Sequence, residues 1–87
     1  MGQNKWRYLH QKANNKLLVP KIRLNRVKVL LVERNLSSKD LAKHLNKTES
    51  TVSRWCRNEV QPSVETLYEI SVWLKVDIRE LLVSTAE

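Results

Sequence analysis

Three observations in the amino-acid sequence predict an all-α protein. Turn-forming residues are scarce: Gly2, Pro20 and Pro62 are the only glycine and prolines in 87 residues. Hairpins need residues at positive φ, usually Gly, Asn or Asp, at their turns. Apolar residues recur at spacings of three and four, the helical period. Capping residues stand directly ahead of those stretches, at Ser37, Thr48, Ser63 and Asp77, where a side-chain oxygen can accept from an orphan backbone amide. These features predict five short helices in one unit, residues 22–87, preceded by a basic arm over residues 1–21.

The arm lacks periodicity, because Asn14, Asn15, Pro20 and a run of bases interrupt it. Trp6, Tyr8, Leu9, Leu17, Leu18 and Val19 make it too apolar for a pure coil, so part of it is expected to dock on the body or on a partner. A leader left by cloning is the other reading. Helix one is expected from about Leu24 to Arg34, with Val27, Leu30 and Leu31 inward and Val29 and Val32 to the side. The β-branched crowding of Val27–Val32 also suits a strand.

Helix two starts at Ser37, with Asp40 at the capping-box position. Its apolar positions are Leu41, Ala42 and Leu45, and Asn46 ends it, since Asn tolerates the left-handed conformation. Helix three is capped by Thr48, buries Val52, Trp55 and Cys56, and closes at Asn58. Helix four follows Ser63, with Val64, Leu67, Ile70, Ser71 and Leu74 inward and Glu65 at the positive end of the dipole. Helix five is capped by Asp77, with Glu80 completing a capping box and Ile78, Leu81 and Leu82 on its apolar side.

The function classes narrow quickly. The chain is too short for a two-domain enzyme, and its longest apolar run, Val29–Val32, cannot span a bilayer. No secretory signal is visible, and Trp6 stands where a myristoylation motif wants Ser or Thr. Cys56 is the only cysteine, so no internal disulfide can form and a reduced, cytoplasmic setting is expected. His10, His44 and Cys56 lack the short paired spacing of a zinc site. Cys56 therefore reads as a small buried hydrophobe. No phosphate loop, nucleophile elbow or paired-carboxylate pattern occurs. No catalytic residue, metal or cofactor is expected.

The formal charge of +7 is segregated. Residues 1–28 carry +8 with no acid, residues 29–36 are neutral, residues 37–58 carry +3 and residues 59–87 carry −4. Such asymmetry suits one polyanion-facing side and one turned away, although a solvated basic tail on an ordinary domain gives the same count.

Between Ser38 and Trp55 two short helices are joined by a tight turn. Ala42 stands at the close approach, Asn46 in the turn, and Val52 and Trp55 beneath the second helix. This is a helix-turn-helix arrangement, which offers its second helix to the major groove.

On these residues, Leu36–Ala42, Thr48–Trp55, Pro62–Leu67, Ile70, Leu74 and Val76–Leu82, the sequence resembles the Xre/Cro family of phage repressors and bacterial regulators. The resemblance covers Asn25 to about Leu82. Asn46 stands where the family usually has Gly, and Cys56 and Asn58 where it often has Glu and Gly. The resemblance implies a compact five-helix repressor-like domain that binds double-stranded DNA without catalysis, as a cytoplasmic, nucleoid-associated transcriptional regulator. It implies base contacts from Glu49, Ser50, Thr51 and Arg54. Arg54 suits guanine O6 and N7, and Glu49 suits cytosine N4. It implies phosphate contacts from Ser38, Lys39, Thr48, Arg57 and Asn58, with Lys43 and Lys47 beside them. Plainer readings stand alongside: Glu49 as a helix cap and Arg54 as half of a surface ion pair. A homodimer on an inverted repeat is expected, formed by helix five and the sides of helices one and four. Trp73 belongs either to the core edge or to a dimer patch with Ile78 and Leu82. Two other functions fit the composition. One is an antitoxin-like module whose acidic back half grips a protein partner. The other is an RNA-binding or adaptor module driven by the arm.

Overall fold

The computed structural model describes residues 22–86, so the expected arm at residues 1–21 lies outside the described residues, as does Glu87. Four α-helices follow in order: α1 (Val27–Glu33), α2 (Ser38–Leu45), α3 (Glu49–Cys56) and α4 (Val64–Leu74). A 3-10 turn, Ile78–Leu81, closes the series. No strand occurs among the described residues, only an isolated antiparallel bridge between Asn25 and Leu82. One core runs through every element: Val27, Leu30 and Leu31 of α1, Leu41 and Ala42 of α2, Val52 and Trp55 of α3, Leu67, Ile70 and Leu74 of α4, and Leu81.

The helix starts follow the capping residues. Ser37 and Asp40 form a reciprocal capping box, Thr48 accepts from the amide of Thr51, Ser63 accepts from that of Thr66, and Asp77 forms a second capping box with Glu80. The helix ends share one device. Asn35, Asn46, Asn58 and Lys75 lie at φ 56°, 56°, 58° and 59°. Beside each, an amide reaches back five residues: Leu36 N to Leu31 O, Lys47 N to Ala42 O, Glu59 N to Arg54 O and Val76 N to Ser71 O. This is the Schellman closure, which usually takes Gly at the left-handed position. Here three asparagines and a lysine take it, which is how a chain so poor in glycine can turn four times.

Several expectations need correction. The fifth helix is a single 3-10 turn, because Leu82 leaves it in extended conformation (φ −115°, ψ 147°) to pair with Asn25. Helix one begins at Val27, not Leu24. The residues ahead of it are drawn into backbone pairing with the C-terminal segment, Arg26 N to Leu81 O at 2.8 Å and Val83 N to Leu24 O at 3.0 Å. Val64, expected inward, is 70% exposed: it is the first helical residue of α4, one turn ahead of the core stripe that starts at Leu67. Cys56 is half-buried and packs at the margin of the core, with its Sγ 3.5 Å from Ser38 Oγ.

Candidate nucleic-acid interface

α2 and α3 pack on each other more extensively than any other pair of elements, joined by the turn Asn46–Thr48. Ala42 is buried and belongs to the same core as Leu41, Val52 and Trp55. Val52 and Trp55 fix the inner side of α3, which leaves Glu49, Ser50 and Arg54 exposed on its outer side.

The structure separates the residues expected to meet DNA. The Glu49 side chain makes no hydrogen bond or ion pair among the described residues, and the side-chain cap is Thr48, whose Oγ1 accepts from Thr51 N at 3.1 Å. Arg54 is absent from the ion pairs among the described residues, which are Arg34–Glu33, Arg57–Glu59 and Arg79–Asp77. Its side chain is exposed. Thr51 is half-buried and its hydroxyl shares a hydrogen bond of 2.8 Å with that of Thr48. Lys39, Lys43 and Lys47 are exposed, whereas Ser38 is half-buried with its hydroxyl against Cys56. Arg57 is exposed, with its Nε donating to Glu59 at 2.6 Å and Nη1 donating to Ser53 Oγ at 2.9 Å.

Asn58 is the clear correction. It was expected to touch phosphate, but it is 6% exposed and serves the fold. Its Oδ1 accepts from the backbone amides of Leu24 and Asn25, each at 2.9 Å, and its Nδ2 donates to Asn25 O at 3.2 Å. The side-chain amide thus pairs with a distant peptide as a neighbouring strand would. Asn25 completes the network, donating to Trp55 O at 3.0 Å and to Gln61 Oε1 at 2.7 Å and accepting from Val27 N at 3.1 Å. Every buried side-chain polar atom among the described residues is satisfied. The network ties the end of α3 to the segment leading into α1. Sequence reasoning missed Asn25 and Gln61; the available signal was a polar residue directly before an apolar stripe.

A second missed contact joins α2 to α4. The rings of His44 and Trp73 stack with centroids 4.8 Å apart and planes 13° apart. Trp73 and Ile78 are partly buried against the core, while Leu82 is exposed. Asp40 titrates below the ordinary carboxylate range because the Ser37 amide, and then its hydroxyl, donate to the ionised form. Asp77 does so through the amide and guanidinium of Arg79. No group of three or more His, Cys, Asp or Glu side chains that could hold a metal is present among the described residues. No described helix is long and apolar enough to cross a membrane.

Comparison with known proteins agrees with this geometry. A family model described as helix-turn-helix matches residues 27–81. The crystal structure of a candidate DNA-binding protein from Bacteroides fragilis superposes with a TM-score of 0.69 at 42% sequence identity, covering 71% of this chain and all of that one. No curated protein matches the chain.

Proposed function

The chain belongs to the helix-turn-helix family, a DNA-binding family, and on that premise we propose that it is a small sequence-specific transcriptional regulator that binds double-stranded DNA as a homodimer on an inverted repeat. The observation that carries the reading is the division of α3: an inner side fixed by Val52 and Trp55, and an outer side whose exposed Glu49 and Arg54 form no ion pair among the described residues. Polar side chains exposed along the outer side of a recognition helix, Glu49 in its first turn and Arg54 in its last, suit base edges in the major groove. Arg54 reads guanine, Glu49 accepts from cytosine N4, and Ser50 and Thr51 adjust to their neighbours. Lys39, Lys43, Lys47 and Arg57 set the register on phosphates, together with the α2 and α3 amino ends at Ser38 and Thr48.

The homodimer is supported by apolar side chains exposed at the sides of α1 and α4, Val29, Val32, Tyr68 and Val72, and by Leu82. Trp73 and Ile78 border that surface in this proposal. The protein works by binding alone, in the cytoplasm at the nucleoid. Selection of binding sites from random duplex DNA at near-physiological salt tests the reading. An inverted repeat with half-sites about one helical turn apart supports it. A pool that stays random, with binding confined to low salt, refutes base reading and leaves only backbone attraction.

A further inference from the structure

We infer that Glu59 limits the affinity for DNA by holding the guanidinium of Arg57, an inference that rests on the DNA-binding reading above. Arg57 sits at the C-terminal end of α3 and is among the bases assigned to phosphate. In the free protein its Nε donates to Glu59 at 2.6 Å and its Nη1 to Ser53 Oγ at 2.9 Å. The side chain is therefore spread along the end of the recognition helix with a carboxylate already in place of a phosphate.

The position of Glu59 is built rather than incidental. Asn58, at φ 58°, reverses the chain directly after Arg57, and Glu59 N closes the Schellman turn onto Arg54 O at 3.0 Å. The turn cannot drift, because the Asn58 side chain is clamped by the amides of Leu24 and Asn25. The same reversal that ends α3 thus delivers an acid back to the base two residues before it.

The pair is open to solvent on both sides, at 55% and 39% side-chain exposure. Exposed pairs contribute little to folding, so Arg57 can exchange Glu59 for a phosphate at small cost to the fold. The carboxylate remains beside the incoming phosphate, however, where like charges oppose each other. Glu59 therefore subtracts from the counterion release that Arg57 would otherwise contribute.

The test is a double-mutant cycle with Glu59→Gln and Arg57→Ala. Binding to a labelled random-sequence duplex would be read over a salt series, since phosphate contacts are sequence-independent. Glu59→Gln keeps an acceptor but removes the charge. It is expected to tighten binding about three- to tenfold near 0.1 M salt and to steepen the salt dependence by about one counterion per protomer. In the Arg57→Ala background the gain should vanish. A Glu59→Gln protein that binds no tighter overturns the inference. So does a gain that survives undiminished without Arg57, which would mark a general charge effect. Glu59→Ala separates the remaining role: weaker binding there would mean that Glu59 orients Arg57 rather than occupying it, and would overturn the inference too. If the wild-type chain binds no duplex at any salt, the DNA reading itself fails and this inference falls with it; a wild type that binds while Glu59→Gln changes nothing refutes only the inference.

Discussion

Arg54 and Asn58 stand four residues apart, one in the last turn of α3 and one in the reversal that follows it, yet they answer to different physics. Arg54 is exposed and forms no ion pair among the described residues, and in the proposed reading it meets a base edge. Arg54→Ala is expected to cost about 1–3 kcal/mol of discrimination at one base pair. Competition binding with single-base variants of the selected site would show a loss of preference at that pair while the fold stays intact. Asn58 is buried and holds two backbone amides of the preceding segment. Asn58→Ala strands those donors and should lower unfolding stability by about 2–3 kcal/mol, measured by urea denaturation. The sites selected from random DNA should be unchanged, which distinguishes a structural asparagine from a reading one.

At the scale of elements, the caps set where each helix begins and ends. Lys75 closes α4 at φ 59°, a conformation that strains a side chain with a Cβ. Lys75→Gly is expected to raise stability by about 0.5–1 kcal/mol, visible as a higher urea midpoint. The two capping boxes give the molecule an acid-sensitive limb. Asp40 and Asp77 ionise below their ordinary value of 3.8 when folded. Groups with depressed values stabilise the fold fully above the ordinary value, and that contribution is lost as pH falls below it through the folded pKa. Stability should therefore drop with acidification through that window. Asp40→Asn should be less stable than wild type at neutral pH and show a flatter acid limb, with the two curves converging at low pH. Parallel curves would mean that Asp40 is not part of the acid response.

For the whole molecule, charge and symmetry combine into one measurable slope. Four bases, Lys39, Lys43, Lys47 and Arg57, are assigned to phosphate on each protomer. With the contribution of Arg57 offset by Glu59, a dimer engaging the three lysines should show a log–log salt dependence of about −5, and a monomer about −3. Leu82→Glu places a charge on the exposed apolar surface. It is expected to shift the protein to monomer in sedimentation and to move the slope from the first value toward the second. A Leu82→Glu protein that remains dimeric would place the contact elsewhere on α1 or α4.

The sequence by itself determined what is decided within one helical turn. A capping oxygen and the amide it accepts are three residues apart, so Ser37, Thr48 and Ser63 could be read directly, as could the left-handed Asn46 at the end of α2. The period of apolar residues likewise found most of the core, and the order of these signals located α2, the turn and α3. Only the tertiary structure decided matters that depend on partners far along the chain. The bonds from Asn58 to Leu24 and Asn25 span 34 and 33 residues, and the same distant pairing shortened α1 and cut the fifth helix to a 3-10 turn. Within the candidate site the exposed positions of α3 were legible, because burying Val52 and Trp55 turns Glu49, Ser50 and Arg54 outward. Whether each polar side chain was already engaged was not legible. Asn58 proved buried, Arg57 was held by Glu59, and Trp73 had found His44. Periodicity specifies which side of a helix turns inward, but what covers it, and which polar groups become partners there, is fixed only when the elements pack.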